Sequence, residues 1–247
     1  MKSILIAYRP LRNSRKTMYG HYARVGWLLA LLAGGQHLGA AAQAVHPVTG
    51  RHIAPVMGVN GADWLEREER QREEQPEKAI LAFNLKPGMM VADVGAGTGF
   101  YSLRVAQAIG PEGVVYAEDI QPGMLEKLNA NAAAQHVGNV VTVLGTEADP
   151  RLPAGKLDLV LLVDVYHEFS RPQRMLDRIR DSLKPDGRLV LLEFRKEDAS
   201  VPIRPEHKMS TDEVRAEVTP QGYRFEKVVD TLPWQHIIFF RKTESVQ

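Results

Sequence analysis

VADVGAGTGFYSL, residues 91–103, sets Gly95, Gly97 and Gly99 directly behind an apolar run and ahead of a helix-compatible stretch. Glycine permits the positive φ of a tight turn and lets the backbone approach a ligand closely. A helix that follows adds unpaired N–H groups. In an open parallel sheet, ligands bind beyond the carboxyl ends of the strands, so the turn is a candidate binding site. The dinucleotide fingerprint G-x-G-x-x-G requires glycine at position 100, where this chain has Phe100. Asp93, two places before Gly95, would repel a pyrophosphate and receive an ammonium group. The turn therefore reads as built for a zwitterionic tail.

Outward from the turn, short Val/Leu-rich runs recur at 90–94, 114–117, 140–144, 157–163 and 188–194. They show little polar alternation, as strands buried on both faces of a parallel sheet do. Helix patterns fall between them at 99–109, 122–135 and 171–183, and KPDG stops the last. After a helix candidate at 211–219, YRFEKVVD and HIIFFRK read as a closing antiparallel pair. The expected fold is α/β: a Rossmann-like, doubly wound, mostly parallel sheet of seven strands with an antiparallel edge strand.

The second strand runs into AEDIQPGML, where Glu118 or Asp119 can accept both hydroxyls of a ribose. Side chains alternate along a strand, so one of the two is expected in the crevice, and Asp119 is chosen.

These residues resemble the class I S-adenosylmethionine-dependent methyltransferases, closest to the small-molecule enzymes of ubiquinone and menaquinone biosynthesis. VADVGAGTG is similar to that family's first motif, YAEDIQPGML to its ribose loop, and LDLVLLVDVYHEF with LKPDGRLVLLEF to its fourth and fifth strands. The resemblance spans about residues 80–241. It implies S-adenosylmethionine as cofactor, with Gly95, Ala96, Gly97, Thr98 and Gly99 around the methionine part. Asp93 would reach its amino group, Asp119 with Ile120 the ribose, Glu147 or Asp149 the adenine amine, and Asp164 the methionine end.

VDVYHEF, 163–169, sets His167 and Glu168 beside the expected crevice. Methyl transfer from a sulfonium is an in-line displacement that rests mostly on positioning, and a base is needed only if the acceptor must lose a proton. His167 is the best candidate base, with Glu168 and His207 beside it as catalytic candidates; lining the cofactor is the competing role. Nothing in the spacing of these three demands a metal, and none is expected. The segment 195–210 is a long insertion in which Arg195, Arg204, His207 and Lys208 would make a basic substrate wall, or simply a solvated loop.

At the other end, residues 1–44 hold six basic groups and no acid, then the apolar run VGWLLALLAGG, then small residues ending at Ala44. That order reads as a signal peptide cleaved after Ala44. The run is too short to span a bilayer. The mature chain is thus expected to be exported, to the periplasm or beyond, with a cytoplasmic location as the alternative. Residues 45–85 read as a linker or extended arm, over 45–61, followed by N-terminal helices, and 86–247 as the main domain. The charge run after Asp63 reads as a solvated helix face, with a lid over the ligand as the alternative.

The whole chain of 247 residues carries a net charge of +1, so removing the leader leaves −5, which argues against a nucleic-acid partner. It has no cysteine, which excludes disulfides, thiolate metal sites and a thiol nucleophile. A small-molecule or lipid-like acceptor is expected. An exported, non-catalytic binding protein that retains the fold, and a nicotinamide oxidoreductase on a similar sheet, are the competing functions.

Overall fold

The computed structural model describes residues 44–243. The signal-peptide reading concerns residues that lie, save Ala44, outside these.

The strands are β1 (Met90–Val94), β2 (Val114–Asp119), β3 (Val140–Leu144), β4 (Leu157–Val163), β5 (Leu183–Arg195), β6 (Lys208–Met209), β7 (Tyr223–Val229) and β8 (Gln235–Lys242). They form one sheet in the order β3-β2-β1-β4-β5-β8-β7, with β6 paired to β5. All pairings from β3 to β5 are parallel. β8 runs antiparallel to both β5 and β7. The antiparallel strand thus lies one place in from the edge, and β6 brings the strand total to eight.

Strand residues point alternately to two apolar layers, which is why the sequence runs lack polar alternation. Val91, Leu159, Leu161, Val190, Leu192, Ile237 and Phe239 pack on one side with Phe83 and with Tyr101, Val105 and Ile109 of a helix. Ala92, Val160, Leu162, Leu189, Leu191, Ile238 and Phe240 pack on the other with Leu176, Ile179, Val214 and Val218.

The helices are α1 (Ala62–Glu66), α2 (Arg70–Glu74), α3 (Pro76–Ala82), α4 (Phe100–Ile109), α5 (Pro122–Ala134), α6 (Pro172–Ser182) and α7 (Thr211–Val218). Proline opens α3, α5 and α6, where its missing N–H costs nothing. Ser210 caps α7: its hydroxyl accepts from Glu213 N–H, and Glu213 accepts in return from Ser210 N–H. None of the described helices is long and apolar enough to cross a membrane.

The order 2-1-4 reverses the winding between β1 and β4, and a crevice opens there at the strand ends. The insertion expected at 195–210 folds back to the sheet through β6, whose register sets Lys208 opposite Phe194. His207 thereby comes level with Glu193.

Candidate active site

A cavity of about 700 Å³ opens over the carboxyl ends of β1, β2 and β4. Its first wall is the glycine turn. Gly95 and Gly97 have φ of 73° and 55°. A Cβ on Gly95 would lie 2.3 Å from Val165 Cγ2, and one on Gly97 2.8 Å from Leu65 Cδ1. The missing side chains are what let Val165 and α1 close on the turn. Gly99 is not on the cavity wall; it precedes α4 and lets Leu128 of α5 approach its Cα.

The tip of β2 clips this turn in place. Asp119 Oδ2 accepts from Gly97 N–H (3.0 Å) and Oδ1 from Gln121 N–H (2.8 Å). Glu118 Oε2 accepts from Gly95 N–H (3.3 Å), and its carbonyl from Ala96 N–H (2.8 Å). Both acids line the cavity, contrary to the expectation that one would. The alternation rule fails because Asp119 ends the strand and turns back to cap the next segment. Room for Glu118 comes from Gly145, where a Cβ would fall 1.6 Å from Glu118 Oε1.

Burial raises Asp93, Glu118, Asp119 and Asp164, since low polarity disfavours charge. Asp93 is pushed up to about 6 by burial, against the opposing hydrogen bond from Ser102 Oγ at 2.6 Å. Glu118 is pushed up to about 8, by burial first and the neighbouring Asp119 second. Asp119 is raised by burial, and Asp164 well above its usual range by burial and then by Glu74 and Glu193. Asp164 accepts from Gln235 Nε2 at 2.6 Å and has a φ of 49°, in the left-handed region. Glu118 Oε1 and Asp164 Oδ1 are buried without a hydrogen-bond partner. Such a set suits a ligand that brings cationic and hydroxyl donors.

Of the two acids proposed for an adenine amine, Glu147 lines the cavity and accepts from Ser170 Oγ at 3.0 Å. Asp149 is off the cavity, holding Arg151 N–H (2.8 Å) and facing Arg178 (3.6 Å). Ala96, Thr98 and Ile120 all line the cavity.

At the other end, His167 is buried and its Nδ1 lies 2.6 Å from Glu193 Oε2. Glu193 is also buried, and its Oε1 accepts from Tyr166 N–H at 3.1 Å. A carboxylate accepts, so His167 Nδ1–H points at Glu193 and its Nε2 faces the cavity. His207 Nδ1 stands 3.1 Å from that Nε2. Glu168 Oε1 lies 3.9 Å from His167 Nε2 and 3.7 Å from His207 Nδ1. Burial pushes Glu168 up to about 7, with His167 opposing, and lowers His207.

Three features become specific only in the fold. Glu193 sits inside an apolar strand run and gives no local signal. The segment before α1 is an anchored arm: Arg51 forks onto the buried Glu217 (3.1 Å at both oxygens), while Arg51 Nη1 (3.1 Å) and Ala54 N–H (3.0 Å) donate to the His167 carbonyl. Its Met57 carbonyl and Val59 N–H are held by Gln121 at 2.9 and 3.1 Å. The charge run is not a solvated face throughout, because Arg70 and Glu74 are buried as a forked pair (2.6 and 2.9 Å) and line the cavity with Trp64 and Leu65. Arg70 also covers the ring of Phe100 at 3.9 Å, which gives the residue at the fingerprint's missing glycine a packing role.

The basic wall shrinks to Arg204 and His207. Lys208 is buried and donates to the Asp198 carbonyl (3.2 Å) and that of Val201, and Arg195 to the Gln235 carbonyl (2.9 Å), so neither charge reaches the cavity. Pro55, Met57, Phe169, Phe194, Pro202 and Ile203 make this end mostly apolar.

Residues 91–187 match the family model described as "Methyltransferase domain". A SAM-dependent methyltransferase from Aquifex aeolicus superposes with a TM-score of 0.72 and 27% identity, covering 76% of this chain and 100% of that one. Nocamycin O-methyltransferase of Saccharothrix syringae is 36% identical over 106 residues, 43% of this chain and 38% of the relative. Demethylmenaquinone methyltransferase of Symbiobacterium thermophilum is 32% identical over 118 residues, 47% of each chain. The chain spans about half or less of the length of these curated relatives. Residues 91–187 are thus similar to a methyltransferase domain, and the chain shares its fold with an S-adenosylmethionine-dependent methyltransferase.

Proposed function

We propose that the protein transfers a methyl group from S-adenosylmethionine to a small, largely apolar acceptor. The observation that carries this reading is the glycine turn clipped to Asp119, with the unpartnered buried oxygens of Glu118 and Asp164 beside it. The cofactor would supply an electrophilic methyl on a sulfonium. Asp93 and Asp164 suit its ammonium group, Asp119 and Glu118 its ribose hydroxyls, and Glu147 its adenine amine. With Oε2 of Glu118 accepting from Gly95, the proton held at neutral pH belongs on Oε1, so Glu118 can donate where Asp119 accepts.

The apolar far end orients the acceptor and excludes water. Glu193 fixes the tautomer and angle of His167, whose Nε2 can then take a proton from an acceptor hydroxyl, directly or through His207. Glu168 adds a carboxylate at the same place.

The test is release of S-adenosylhomocysteine during incubation with a panel of phenols and quinols. Product that depends on His167 supports the reading. Cofactor uptake without turnover on any acceptor would favour an exported binding protein that keeps the fold. The basic and apolar leader supports export with a mature chain beginning at Val45; sequencing the N-terminus of protein from fractionated cells tests that part.

A further inference from the structure

We infer that His167, Glu168 and His207 bind one divalent transition-metal ion at the acceptor end of the cavity. Their donor atoms all lie within 4.8 Å of one another. An ion with metal–ligand bonds of about 2.0–2.1 Å and ordinary bond angles holds its donors about 3.0–3.4 Å apart. The two imidazole nitrogens already stand at 3.1 Å. Glu168 Oε1, at 3.7 and 3.9 Å from them, needs to close by only a few tenths of an ångström, within the reach of a side-chain rotation.

The orientation of His167 adds a second, independent argument. A ligating histidine almost always donates its other ring N–H to a carboxylate or carbonyl, which fixes the tautomer and raises the basicity of the ligating nitrogen. Glu193 takes that position at 2.6 Å from His167 Nδ1, and is itself held by Tyr166 N–H. The main chain at His167 is pinned by Arg51 and Ala54. The ligating set is therefore braced on its buried side and open on the cavity side, as a site with a free coordination position must be.

Two imidazoles and a carboxylate, without thiolates, suit Zn²⁺ and its neighbours in the first transition row. A cation would engage all three donors at once. A second group, His236 with Asp230 (2.8 Å) and Glu197 (2.9 Å), already has both ring nitrogens hydrogen-bonded to carboxylates. A bound ion would polarise an acceptor hydroxyl directly and lower its pKa, moving the acidifying role from His167 to the metal.

The binding requires neither cofactor nor turnover, so its failure is separate from failure of the proposed activity. The test takes the full chain, stripped with a chelator, through calorimetric titration with Zn²⁺ and visible absorption with Co²⁺. One equivalent of Zn²⁺ is expected, with a Co²⁺ d–d band from a nitrogen–oxygen site. His207→Ala and Glu168→Gln should each weaken uptake by on the order of tenfold or more, while His136→Asn, on the exposed surface, should not. Unchanged melting of Glu168→Gln guards against loss of fold. No stoichiometric uptake by the wild-type chain, or equal uptake by both ligand variants, overturns the inference.

Discussion

The two ends of the cavity are built differently. The end proposed for the cofactor is built mainly from two short stretches, 93–98 and 118–121, with Glu147 and Asp164 added from farther along the chain, and its main hydrogen bonds join two neighbouring parallel strands. The acceptor end draws on four distant segments: the arm at 51–57, the turn at 166–169, Glu193, and the insertion ending at His207. A short, contiguous motif can be read from sequence because backbone geometry alone dictates its residue types. A site closed by long-range register cannot, and here the register of two-residue β6 decides where His207 falls.

If the ends are functionally separate, substitutions should divide between turnover and affinity. The largest effect is expected at the acceptor end. Glu193→Gln keeps the shape but lets His167 lose its tautomer, and should cut kcat by about a hundredfold or more, while the Kd for S-adenosylmethionine stays within about twofold. Steady-state kinetics beside equilibrium binding decides this. A parallel loss of cofactor affinity would show that the two ends act as one unit.

Next comes Asp119→Ala, which removes the acceptor for Gly97 and Gln121 N–H. Two hydrogen bonds to a charged group contribute about 1.5–3 kcal/mol each. Cofactor affinity should fall by about a hundredfold or more, with kcat at saturating cofactor largely kept.

A smaller effect follows from Asp93, whose folded pKa is about 6. A cationic ligand needs it ionised, so affinity should rise about tenfold from pH 5 to pH 7 and then level. Asp93→Asn should be weaker throughout and lose that slope.

The smallest functional change is expected for Glu118→Gln, because a group with a folded pKa of about 8 is mostly neutral at pH 7. Its signature lies in stability. The folded state holds the Glu118 proton more tightly than the unfolded chain does, so stability is full below about 4.5 and is lost as pH rises through about 8. Thermal melts at pH 6 and pH 9 should show a larger drop for the wild-type chain than for the variant.

Much of the fold was legible because strands covered on both faces leave uninterrupted Val/Leu runs, and KPDG and the helix-opening prolines punctuate them. Asp93, Gly95, Gly97 and Asp119 stand out in the sequence for the same local reason, and the fold brings them to one cavity. Gly99 lies off the cavity wall, where the same residue type serves helix packing against Leu128. Arg195 and Lys208 were misread because composition cannot tell a solvating charge from one consumed by backbone carbonyls. The burial of Arg70 with Glu74 was hidden by a charge run that looks solvated, since an i,i+4 pair reads alike on an exposed or a covered helix. Glu193 gave no signal because its importance lies wholly in what the fold sets beside it.

The central claim is that a glycine turn flanked by Asp93, Asp119 and the unpartnered Glu118 and Asp164 oxygens is made for a sulfonium amino acid joined to a nucleoside. Calorimetric titration of the full chain with S-adenosylmethionine, S-adenosylhomocysteine and NAD tests it most directly. Saturable one-to-one binding of the first two and none of NAD is the predicted result. No heat with either adenosyl compound, or binding of NAD in their place, would contradict it.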